Sequence, residues 1–297
     1  MKTLYKSLIG AAIISAAGFA SAGQVYLDAG TNFAADTTPA SKVCPTCTSL
    51  KDQLTIKYES STDFFDSDGS LNLSTGDAIK TSGGLAIAGF DATGLSTNQV
   101  TSLNPGEVFG GGSADNGYGT DWVLSFGFTD LEGTVVGFDG SLPLLGYTSG
   151  TIELYLTFDG SNFINFMDLI VEGSQNSGPN ITLTGVADFT NVDATFNNLF
   201  HNEEGKDCAG GADGFFDIWS SAACQAEDLT IDFILDQNTD PNAIVVNPAA
   251  PGDYPLIANV TTNHDGSIAF NVPEPGTLAL MGLSLVMLGG VSRKKKA

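Results

Sequence analysis

The chain has 297 residues, with 34 acids against 11 lysines and arginines and a formal net charge of −23. That balance excludes nucleic acid and anionic lipid surfaces as partners of the body, because both require a cationic footprint. A hydrophobic content of 42%, 19 phenylalanines and recurrent β-branched residues exclude a disordered acidic chain.

The first 22 residues read as a secretory signal peptide. Lys2 and Lys6 give a positive start, residues 8–19 are apolar, and Ala20-Ser21-Ala22 supplies small side chains where a signal peptidase reads. Cleavage is expected between Ala22 and Gly23, so the mature protein is exported and signal peptidase is its first partner.

Residues 23–271 form the body, expected to be one domain. Its dominant pattern is period-2 alternation, the mark of strands with one buried and one solvated face. In "LTIKYE" Leu54, Ile56 and Tyr58 share a face, and in "WVLSFGF" Trp122, Leu124, Phe126 and Phe128 do so. "TIELYLTF" aligns Ile152, Leu154, Leu156 and Phe158, and "LTIDFIL" aligns Leu229, Ile231, Phe233 and Leu235. "NFINFMDLIV", residues 162–171, fits a short helix or a strand. Asp68-Gly69, Asn116-Gly117, Asp139-Gly140, Asp159-Gly160 and Asp265-Gly266 are turn dipeptides, since Gly and Asx tolerate positive φ. The last of these predicts a final hairpin turning at His264-Asp265-Gly266. Many short strands with regular turns predict an all-β fold, an antiparallel β-sandwich with the jelly roll as one form.

The four cysteines fall into two local pairs, Cys44 with Cys47 and Cys208 with Cys224. In an exported chain an even count reads as disulfides, paired locally or across, with redox and metal roles as the other readings. A bridge from Cys208 to Cys224 would stabilise by roughly 3 kcal/mol in the chain-entropy model and would pin the aromatic stretch containing Phe215, Phe216 and Trp219. Acidic turns suggest calcium as a cofactor, with Asp63, Asp66 and Asp68 offering hard oxygen ligands before Gly69. An EF-hand register that puts Asp66 and Asp68 at its third and fifth positions fails, because Phe64 is then first and Thr75 twelfth. "HNEEGKD", with Glu203, Glu204 and Asp207, is a second acidic loop without a ligand pattern.

For catalysis the sequence offers little. His201 and His264 are read as loop residues, and no G-x-S-x-G, H-E-x-x-H or P-loop occurs. The expectation is a non-enzymatic protein. Tyr118, Trp122, Tyr155 and Trp219 are the aromatics that could stack on sugar rings, with core packing as the alternative fate of Trp122.

The tail, residues 272–297, reads "VPEPGTLALMGLSLVMLGGVSRKKKA". Residues 277–291 carry no charge and as a helix span about 22 Å, short of the roughly 20 residues that usually cross a bilayer. Arg293, Lys294, Lys295 and Lys296 would be held on the cytoplasmic side, giving a short stop-transfer helix with the body outside. Pro273-Glu274-Pro275, apolar helix and basic cluster in this order resemble the PEP-CTERM sorting signal of Gram-negative bacteria. The resemblance implies that an exosortase reads the Pro273, Glu274, Pro275 triplet, cleaves near it and releases or transfers the body. It further implies a cell-envelope or extracellular-matrix protein of a biofilm, floc or exopolysaccharide. The alternative is a secreted carbohydrate-binding module or carbohydrate-active enzyme on the same fold. With both ends processed, five lysines and all 34 acids remain, so the body carries about −29.

Overall fold

The computed structural model describes residues 24–28, 47–86, 98–104, 117–119, 121–177, 180–202, 214–226, 230–240, 244–249 and 255–271. Most of it is antiparallel strand. The main ones in chain order are β2 (Gln53–Phe65), β3 (Ala78–Gly84), β4 (Gln99–Asn104), β5 (Val123–Asp139), β6 (Leu142–Ser149) and β7 (Thr151–Thr157). β8 (Ile164–Ser177), β9 (Asn180–Asp188), β11 (Asp232–Thr239), β12 (Val245–Pro248) and β13 (Leu256–Asn271) complete them. Two short strands, β1 (Val25–Leu27) and β10 (Phe200–Asn202), pair with each other apart from the rest.

Several strands obey the alternation read in the sequence, whereas β5 and β8 bury consecutive residues. β2 buries Leu54, Ile56, Tyr58, Ser60, Thr62 and Phe64 and leaves the residues between them more accessible. β7 buries Ile152, Leu154 and Leu156, and β11 buries Phe233, Leu235 and Gln237. The ladder runs β13-β11-β9-β8-β7-β5-β3-β2, and β2 then pairs with β13, so these eight strands form a closed circuit. Closure removes the exposed edges that an open sheet would have to protect. The expected fold class is met as an antiparallel all-β protein, with hydrogen bonding that joins the outer strands of the sheet to each other.

One end of this circuit is filled with rings. Two short helices, α1 (Phe215–Ser220) and α2 (Ala222–Ala226), follow β10. From α1, Phe215 packs against Phe200 at 5.7 Å and Phe270 at 5.4 Å between ring centroids, and Phe200 stacks on Phe166 at 5.6 Å. The aromatic stretch between the second pair of cysteines is therefore a short helix that covers the end where β13 finishes.

Two local readings change, and a third is resolved. Asp265-Gly266 is not a turn: both residues lie inside β13, whose sixteen residues run unbroken beside β2 and β11. Residues 164–171, open between helix and strand in the sequence, are strand and belong to β8. His201 and His264 are buried strand residues of β10 and β13, not loop residues. Other turn dipeptides hold, with positive φ at Gly69 (77°), Gly140 (62°) and Gly160 (68°). No helix among the described residues is long and apolar enough to cross a membrane, and residues 277–291 lie outside them.

Candidate functional site

Three neighbouring strands change character at the same height. On the inward face of β2, Leu54, Ile56 and Tyr58 give way to Ser60 and Thr62. On β11, Phe233 and Leu235 give way to Gln237 and Thr239, and on β13, Phe270 and Ile268 give way, past Gly266, to His264 and Thr262. Register brings these substitutions together, because Ser60 lies opposite Thr262, Tyr58 opposite His264, and Thr239 opposite His264. The result is a polar band inside the circuit, above an apolar core.

The band is internally hydrogen-bonded, as buried polar groups must be. Ser60 Oγ lies 2.7 Å from His264 Nε2, and Thr239 Oγ1 lies 3.4 Å from Nδ1. The imidazole stacks on Tyr58 at 4.8 Å, and the Tyr58 hydroxyl donates to Gln237 Oε1. Thr62, Thr81 and Tyr147 form a second chain, at 2.9 Å and 2.8 Å. Burial pushes the His264 pKa down to about 4, against smaller upward pulls from the Asn238 backbone and the Asp265 carboxylate. Burial also raises the Tyr58 and Tyr147 phenols, so all three rings are neutral at pH 7.

Above the band the chain leaves a cleft of about 290 Å³. Ser60, Gln237 and His264 are among the polar residues lining it, and Leu142, Leu144, Ile181 and Val246 are among the apolar ones. The space exists because β5 exchanges partners along its length: its first part pairs with β7, whereas its second part pairs with β6. β6 has no ladder to β8. Side chains bridge that gap, Ser174 accepting from the Tyr147 N–H at 2.7 Å and Asn176 Nδ2 donating to the Leu145 carbonyl at 2.6 Å.

Ser60 beside His264 has the spacing of a nucleophile and its base. Yet an imidazole titrating near 4 accepts a proton weakly at neutral pH, and Ser60 is paired on both sides, with Gly83 of β3 and Thr262 of β13. Its surroundings suit hydrogen bonding to a bound group. Asp139 is the one carboxylate lining the cleft among the described residues, whereas glycoside hydrolysis uses a pair of acids.

A second cluster lies in the loop from β2 to β3. Ligand oxygens of Asp66, Asp68 and Asp77 lie within 4.8 Å of one another, and Asp66 and Asp77 are buried. Asp66 accepts from the N–H groups of Gly69, Ser70 and Leu71, and Asp77 from those of Ser67 and Ser74. Asp63 is not part of this set: it sits on β2 and accepts from Asn259 Nδ2 at 2.7 Å. The carboxylate missed in the sequence is Asp77. Its signal was present, because counting Asp66 as the first position places Asp68 third and Asp77 twelfth, the spacing of calcium-loop carboxylates. The donor set is of the kind hard divalent cations take.

A third acidic group crosses the sheet. Glu153 of β7 faces Asp168 of β8, which faces Asp188 of β9. Burial and these two neighbours raise the Asp168 pKa, opposed by the hydrogen bond from Asn165. The aromatics considered for sugar stacking are engaged in packing. Trp122 is buried edge-on to Tyr118 at 4.9 Å, Trp219 packs on Phe189 and Phe216, and Tyr155 donates to Glu153 at 2.7 Å. Cys47 and Cys224 each take part in a disulfide, while Cys44 and Cys208 lie outside the described residues. Ala22, Gly23, Pro273, Glu274, Pro275, Glu203, Glu204 and Asp207 lie outside them too.

The described body ends at Asn271, the last residue of β13, and the segment that follows is identified by its sequence. Residues 271–296 match the family model of the PEP-CTERM protein-sorting motif. The chain is an exosortase-targeted protein. The PEP-CTERM motif makes it exported, with a membrane-anchored precursor that exosortase processes. No curated protein and no solved structure matches the chain.

Proposed function

We propose that the body of this PEP-CTERM protein is a non-enzymatic structural or adhesive component of the cell envelope or extracellular matrix, set among the exopolysaccharide of a biofilm or floc. The observation that carries this reading is the position of the sorting motif. It begins at Asn271, where β13 ends, so a cut near Pro273-Glu274-Pro275 would leave the last strand of the circuit whole. A body released in this way keeps every ladder described above. Its charge of about −29 favours solubility and repels other acidic surfaces, which suits a hydrated matrix. The carbohydrate-active enzyme has less support, since the cleft lining brings together one carboxylate and the candidate stacking rings are packed.

The test is made in the producing bacterium. Deleting the gene should lower the cohesion of its biofilm or floc severalfold, and the wild-type gene should restore it. A Pro273→Ala/Glu274→Ala/Pro275→Ala variant should fail to restore it. Unchanged cohesion in the deletion strain, with polysaccharide output equal to wild type, would defeat the matrix role.

A further inference from the structure

The cleft above the polar band has a chemistry of its own, independent of the matrix role. Its walls are aliphatic: Leu142 and Leu144 from β6, Ile181 from β9 and Val246 from β12. Leu142 and Val246 are 39% and 57% exposed, so the apolar lining continues out to the lip. Phe138, opposite Pro143 in the β5–β6 hairpin, is also exposed, at 42%. At the bottom stand Ser60, Gln237 and His264, all uncharged at neutral pH.

Ser60 Oγ shares a hydrogen bond of 2.7 Å with His264 Nε2, whose direction depends on the imidazole tautomer. In either direction the hydroxyl keeps at least one lone pair to accept from a ligand. Among the described residues no lysine or arginine lines the cleft, and Asp139 stands among the lining residues. An anionic head group would therefore meet a carboxylate and no counter-charge. A volume of about 290 Å³ is nearly twice that of an engineered cavity that holds benzene, which sets the ligand at roughly ten to fifteen non-hydrogen atoms.

We propose that this cleft binds a neutral, medium-chain amphipathic molecule, with its hydroxyl end on Ser60 and its apolar chain between Leu142, Leu144, Ile181 and Val246. Eight-stranded antiparallel circuits have room for one such ligand, and the mouths of closed sheets are favoured places for small-molecule sites.

The test uses the protein as exported, purified without detergent at pH 7.5. 2-Naphthalenemethanol, a neutral fluorescent alcohol within that size, should bind saturably at one site per chain. 1-Decanol should displace it at a concentration at least tenfold lower than decanoate requires. Val246→Asp places a charge on the lip at an exposed position; it should weaken probe binding at least fivefold while leaving the circular dichroism spectrum and melting temperature unchanged. Absence of saturable binding to the folded protein would overturn the proposal. Equal displacement by decanoate would overturn its neutral head group, and full binding by Val246→Asp would overturn its location.

Discussion

His264 shows how one residue ties the fold to pH. Its pKa falls from 6.5 to about 4 because burial disfavours the imidazolium. The unfolded chain therefore binds more protons than the native protein between those values, and stability falls as pH falls through that window. Above pH 6.5 the contribution is complete. The shift corresponds to about 3 kcal/mol lost between pH 7.5 and pH 4, at 1.36 kcal/mol for each pKa unit. His264→Gln keeps a polar side chain facing Ser60 but cannot titrate. Urea unfolding at the two pH values should show a gap between wild type and variant that changes by about 3 kcal/mol. Parallel loss of stability in both proteins would show that His264 is not the residue responsible.

At the scale of elements, Gly266 explains why β13 was read as a hairpin. An Asp-Gly pair is the commonest turn signal, yet glycine also marks places where another strand comes close. A Cβ at Gly266 would meet the Asp236 carbonyl oxygen of β11 at 2.0 Å, and that atom is backbone, so it cannot swing aside. Gly266→Ala should destabilise by about 2 kcal/mol, the cost of overpacking a close contact, measurable as a lower urea midpoint with an unchanged slope. A neutral result would mean that β11 and β13 are not as closely paired as described. The strands were legible in the sequence where burial alternates along one face, as in β2, β7 and β11. Residues 162–171 were ambiguous because an apolar run that short satisfies both periods. The polar band was half legible. Ser60 and Thr62 continue the inward phase of Leu54 and Ile56, but their meeting with Gln237 and His264 depends on register between strands far apart in the chain. Asp77 was missed through a two-residue error of register in the acidic loop, although the loop itself was found.

For the whole molecule, two properties matter together: the closed circuit of eight strands and the point at which it ends. β13 pairs with β2 over residues 256–268 and with β11 over residues 264–271, so β11 holds it up to the residue where the sorting motif begins. Cleavage in the motif would therefore remove no strand, and the acidic body would leave the membrane folded. The most direct measurement of this account is the intact mass of the protein recovered from the envelope and the medium, for wild type and for the Pro273→Ala/Glu274→Ala/Pro275→Ala variant. The expected wild-type mass runs from Gly23 to a C-terminus near the triplet, and the variant retains its tail in the membrane fraction. A wild-type protein recovered only in the membrane, with residues 276–297 still attached, would contradict it.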